Sequence, residues 1–249
     1  MPKTLPKRLL KDPLIDAVFE CRFTGKYPAS NILPAFLFKE FGSEAKLERL
    51  FNSDIPEAVR NNEPNLMYAP LLRLVFEKYT FLVGDRSIAV ACNLPYQGWA
   101  SFKEQIINTI KALEKSDVAN VVNRYSLKYV DFIPLESTKE QVDAVALNLK
   151  VGEHMLIDQD YQVRMEIKEG DFFTIVQLVS GAKFTKPSGE EKSGLVIDVD
   201  TIKNVDSLPV SDFEAGLDSV LEDIHTVSKQ AFFNCLTQET LGSLEPKYD

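Results

Sequence analysis

Asn123-Arg-Tyr-Ser-Leu-Lys-Tyr-Val-Asp-Phe-Ile-Pro134 reads as a β-strand at the midpoint of the chain. Leu127 and Tyr129 fall on one face of such a strand, while Arg124 and Lys128 fall on the other, because side chains alternate with period two. The stretch follows a long amphipathic helical pattern, and the segment after it repeats the plan of the segment before it. It therefore acts as the hinge of the architecture.

Upstream, the chain alternates from Leu14: Ala17, Phe19, Cys21 and Phe23 share one face, and Asp16, Val18, Glu20 and Arg22 the other. That is the pattern of a half-buried strand. Ser30 or Asn31 can cap a helix carrying Ile32, Ala35, Phe36 and Leu37. Residues 43–70 are polar and proline-punctuated, with a short strand at 46–51 and an irregular connection across 52–70. Strands are expected at 71–76, 80–83 and 88–93. Trp99, Phe102, Ile106, Ile110 and Leu113 then recur at helical spacing to about Ser116, with Trp99 as a core anchor.

Downstream of the hinge, a weakly helical stretch is expected at 138–147 and strands at 149–153, 161–168, 172–180 and 195–200. Gly170-Asp171 and the run from Lys186 to Gly194 supply turns. Ser211 with Glu214 has the spacing of a capping box. From there Phe213, Leu217, Val220, Leu221, Ile224, Val227, Ala231 and Phe232 make a helical stripe to about Leu236. The expectation is an α+β fold of two strand-helix-strands-helix halves, arranged like the TATA-box-binding protein or a helix-grip fold. One curved antiparallel sheet would carry the long helices on one face. Residues 1–13, with three prolines, read as an arm that frays or packs along an edge; 14–118 form the first repeat and 119–249 the second.

The chain has 249 residues, of which 45% are hydrophobic, enough for a sizeable core. Its net charge of −9 and the lack of clustered Lys and Arg argue against nucleic acid and against acidic membranes. No apolar run approaches the roughly 18 residues needed to span a bilayer, and the basic N-terminus lacks the apolar segment of a secretory signal. The reading is cytoplasmic. Cys21, Cys92 and Cys235 are far apart and odd in number, so no disulfide framework is expected. His154 and His225 have no partner at metal-ligand spacing, and Asp158-Gln-Asp160 reads as part of a hairpin turn, so no metal is expected.

Four stretches carry a likeness to a family: Pro13-Leu-Ile-Asp-Ala-Val-Phe-Glu20-Cys-Arg22-Phe, Leu127-Lys-Tyr129-Val-Asp131, Leu195-Val-Ile-Asp198-Val-Asp200 and Phe232-Phe233-Asn-Cys-Leu-Thr237. Together they resemble a sporadically distributed family of uncharacterised bacterial and archaeal proteins of about this length. Its first motif runs Pro-Ile-x-Glu-Ala-x-x-Glu-x-Arg and its central one Leu-Arg-Tyr-x-Asn. This chain departs with Asp16 for Glu, Lys128 for Arg and Asp131 for Asn. The resemblance implies a fold and no activity.

No glycine-rich phosphate loop, nucleophile elbow, paired-cysteine zinc pattern or His-Glu-x-x-His helix is present. No catalytic residue and no cofactor is assigned, and the reading leans away from an enzyme. The chemistry left is polar groups on the sheet face away from the helices: Glu20, Arg22, Arg124, Lys128, Asp198 and Asp200. At least one contact is expected between Arg124 or Lys128 and a carboxylate among Glu20, Asp198 and Asp200. These groups serve either as structural cross-strand pairs or as a patch for a ligand or partner. Two functions follow. One is a non-enzymatic binding or scaffold module that meets a protein partner through the open face, a sheet edge or the arm; a homodimer is compatible with it. The other is a small-molecule binder or enzyme with a pocket between sheet and helices.

Overall fold

In the computed structural model, which describes residues 5–42, 44–185 and 189–248, the alternating segments are strands and the periodic ones helices. In chain order the elements are β1 (Arg8–Leu9), β2 (Leu14–Thr24), α1 (Ala29–Phe41), β3 (Lys46–Arg49), a 3-10 turn (Phe51–Asp54) and α2 (Glu57–Asn62). Then come β4 (Leu72–Val75), β5 (Tyr79–Val83), β6 (Ser87–Cys92), α3 (Trp99–Lys115) and β7 (Val121–Pro134). The remainder is α4 (Thr138–Asp143), β8 (Lys150–Val151), β9 (His154–Met155), β10 (Gln162–Glu169), β11 (Phe172–Thr185), β12 (Glu191–Pro209), α5 (Val210–Cys235), α6 (Gln238–Ser243) and β13 (Pro246–Lys247). The fold is α+β with a large antiparallel sheet, whose nine strands run β10-β11-β12-β7-β2-β6-β5-β4-β3. The hinge strand β7 lies between β12 and β2.

Two compact units share the chain. The first comprises Asp16–Leu127 and Ile202–Ile224; the second comprises Met1–Ile15, Lys128–Thr201 and His225–Asp249. In the first unit, β2 pairs with β6, β6 with β5, β5 with β4 and β4 with β3, all antiparallel. Phe19, Phe23, Phe81, Phe102 and Phe213 are fully buried there, and α1 packs on α3. Phe81 lies 4.7 Å from the Phe41 ring of α1 and Tyr125 5.2 Å from Phe213 of α5, so the odd-numbered side chains of these strands face the helices.

The second unit has its own core of Leu195, Ile197, Val199, Val176, Leu178, Ile133, Phe232 and Leu236. Gly194 sits where only a hydrogen can: a Cβ there would come 2.4 Å from the Ile133 carbonyl oxygen and 2.6 Å from the Phe132 ring. The arm is held here, because β1 pairs antiparallel with β13 and Lys11 meets Glu245 at 3.0 Å. Residues 1–4 of the expected arm lie outside the described residues.

Some expectations need correction. The connection across 52–70 contains a 3-10 turn and α2. The 149–153 strand is a small hairpin, β8 with β9. The expected strand 195–200 is the centre of a much longer β12 that leads directly into α5. Since α5 already begins at Val210, Ser211 lies inside its first turn, with its hydroxyl 3.4 Å from Asp212. A capping box forms instead at α4, where Ser137 and Glu140 exchange hydrogen bonds. Trp99 is half-exposed: its ring packs edge-on to buried Phe102 at 6.3 Å between centroids, and its indole N–H reaches outward to donate to Glu222 at 3.1 Å. The turn run from Lys186 lies outside the described residues as far as Ser188.

Candidate functional site

In the first unit Arg22 donates to Glu20 over a short 2.5 Å contact two residues away on β2. The Arg22 guanidinium also lies 4.7 Å from the centroid of the Tyr68 ring, a cation–π contact. Tyr68 belongs to the connection read as irregular, and its carbonyl accepts the Ser87 hydroxyl at 2.9 Å. Ser87 pairs with Arg22 across the strands. That connection therefore covers part of the polar face, which is not an open surface at this end. Arg124 on β7 is half-buried on the same alternation.

In the second unit Lys128 meets Asp198 at 2.8 Å, and the Gln177 amide donates to the same carboxylate oxygen at 3.4 Å. Arg164 stands directly across from Gln177 and contacts Glu166 along its own strand. A row of polar groups thus crosses four strands, from β10 through β11 and β12 to β7. Asp200 is half-buried two residues beyond Asp198. The other oxygen of Asp198, Oδ1, is buried without a hydrogen-bond partner among the described residues. So Lys128 is brought to Asp198 and Arg22 to Glu20. Asp158 and Asp160 are held by local partners, Gln159 at 2.6 Å and Thr138 at 3.1 Å. Among the described residues no cluster of three or more His, Cys, Asp or Glu could hold a metal.

The opposite, helix-facing side of the second unit holds a feature that sequence reasoning did not find. On β10, Val163, Met165 and Ile167 pair with Leu178, Val176 and Thr174 of β11 and so share one face. With Ala146 and Leu147, and with Ala231, Asn234 and Cys235 from α5, most of them line a cavity of about 190 Å³. Cys235 donates its thiol to the Ala231 carbonyl at 3.2 Å, and burial, reinforced by Asp131, pushes that thiol up to about 11. It stays protonated at neutral pH, which makes it a poor nucleophile and a neutral wall. Asp131 itself is buried, and its carboxyl is raised well above the usual range by desolvation and then by Asp12. Asp12 is shifted the same way by burial.

The cavity lies beside a sheet edge. β10 ends the strand order, and among the described residues no strand pairs with its outer side. Met165 is 52% exposed at the lip. The signal that could have found this site is the alternation Val163, Met165, Ile167 within a strand whose other residues are polar. It was hidden because the sequence does not say which strand is outermost.

No protein-family model matches this sequence, and no curated protein matches it.

Proposed function

We propose that the chain is a non-enzymatic cytoplasmic binding module that takes an extended segment of a protein partner along β10, by strand addition. An apolar side chain of that segment enters the cavity between α5 and the β10–β11 pair. What carries the reading is an eight-residue edge strand with an apolar, half-exposed side next to a cavity. Edges that are to stay unpaired are kept short or charged on both sides. β3, at the other end of the strand order, is such an edge, with four residues of which Lys46, Glu48 and Arg49 are charged. β10 has Val163, Met165 and Ile167 in succession on its cavity side, with a charge, Glu169, only at its end. In strand addition the backbone supplies affinity, and pockets for alternate side chains supply selectivity.

The runner-up is a small apolar molecule in the same cavity. The volume disfavours it, since drug-sized ligands occupy about 300–1,000 Å³. Within the second unit, Lys128, Asp198 and Asp200 of the polar row are our candidates for charged contacts to the partner; Glu20, Arg22 and Arg124 of the first unit are candidates for a separate contact. The repeated element order also supports reading the chain as a duplicated α+β unit of the TATA-box-binding-protein-like or helix-grip kind. The same holds for the likeness to the sporadically distributed family named above.

The test is a selection of random extended peptides on the immobilised protein. Enriched sequences should carry one large apolar residue flanked by alternating polar ones. Met165→Asp should weaken their binding at least about tenfold, or about 1.4 kcal/mol, without lowering the melting temperature. Peptides that bind Met165→Asp as well as the unaltered chain would place the docking surface elsewhere.

A further inference from the structure

β10 reads Gln162-Val-Arg-Met-Glu-Ile-Lys-Glu169, and it is complementary to itself. In an antiparallel pair, residues whose numbers have a constant sum face each other, and an even sum keeps each residue on its own face of the sheet. With Met165 opposite the partner's Met165, Arg164 faces the partner's Glu166, and Glu166 faces the partner's Arg164. On the cavity side, Val163 faces the partner's Ile167 and Ile167 the partner's Val163. Both faces are satisfied at once: two opposite-charge pairs on one and three apolar pairs on the other.

Shifting the register by two residues in one direction sets Arg164 against the partner's Lys168 and Glu166 against its own copy, where like charges repel. Shifting it the other way sets Arg164 against its own copy, where like charges again repel. The centred register alone has neither fault. Arg164 and Glu166 are about half exposed and touch only along the strand in one protomer, so both can turn to a facing strand at little cost.

We infer that the occupant of the β10 edge is a second copy of this chain, paired antiparallel about Met165 so that the sheet continues across a two-fold axis. The partner's Met165 and Ile167 then lie beside the lip of the cavity and remove the half-exposed Met165 from water. This rests on the reading of β10 as a docking strand and names its partner. A two-fold contact of this kind is closed, which suits a dimer rather than a fibre.

The experiment is sedimentation equilibrium on the full chain and on two charge variants. The unaltered chain should be a dimer. Arg164→Glu places two Glu–Glu pairs at the contact and Glu166→Arg places two Arg–Arg pairs, so each alone should dimerise at least about tenfold more weakly. Mixed in equal amounts, the two should form a heterodimer, because the charges become complementary again. The double variant R164E/E166R should dimerise like the unaltered chain. An unaltered chain that is monomeric overturns the inference, and so does a dimer indifferent to the charge variants. If the chain is monomeric and still binds selected peptides in a Met165-dependent way, self-pairing fails while the docking strand stands. If it is monomeric and binds none, both fail.

Discussion

Asp131 shows how one buried carboxyl reports on its surroundings. It is 5% exposed, and burial, with Asp12 nearby, keeps it protonated above the pH at which an ordinary aspartic acid ionises. The linkage sign runs opposite to that of a salt-bridged carboxylate. The folded state holds the proton more tightly than the unfolded one, so Asp131 costs stability as pH rises from near 3.8, and the loss stops only above its raised folded value. Asp131→Asn removes that cost and supplies the residue of the resembled central motif. It should raise the melting temperature at neutral pH by at least about 2 °C and flatten its fall as pH rises above the ordinary aspartic acid value. An unchanged or steeper fall would mean that another group carries the dependence. The residue itself was in plain view within the hinge strand. Its burial was not, because period two places Asp131 on the helix side together with Leu127 and Tyr129, a side where a carboxylate is unexpected.

Among elements, the joint between α1, α2 and the β5–β6 turn is organised on one buried carboxylate. Asp85 is 6% exposed and accepts the Ser30 hydroxyl at 2.6 Å and the Arg60 guanidinium at 2.7 Å, while its backbone carbonyl accepts Ala29 N–H at 3.0 Å. A buried carboxylate that loses its cation costs about 3–5 kcal/mol. Arg60→Ala should lower unfolding free energy by that order, measured by chemical denaturation. A loss under about 1 kcal/mol would show that water reaches Asp85 once the arginine is gone. This joint was illegible in the sequence because Arg60 and Asp85 are joined only by the fold, through a connection whose prolines hide α2. The Lys128–Asp198 pair was legible for the opposite reason: both residues sit at period-two positions on their strands, where opposite charges on one face are expected to pair. Ser137 and Ser211 both precede a glutamate at position three. Only Ser137 caps, because β12 runs straight into α5 and leaves Ser211 already helical. The far end of β12 was missed because Ile202, Val205 and Leu208 in its tail stand three residues apart, which breaks the period-two alternation.

For the whole molecule, the two ends of the strand order are unequal. No helix among the described residues is long and apolar enough to cross a membrane. β3 is four residues long and charged, whereas β10 is twice that length and apolar on alternate positions. Composition showed an acidic chain with ample core, and alternation showed the strands. Neither could show which strand would be outermost, since that depends on pairings between residues far apart in sequence. Amide hydrogen exchange over a series of protein concentrations compares the two ends in one sample. Exchange in Gln162–Glu169 should slow as concentration rises, while Lys46–Arg49 exchanges at a constant rate. Exchange in Gln162–Glu169 that is fast and the same at every concentration would contradict β10 as the strand on which a second copy docks.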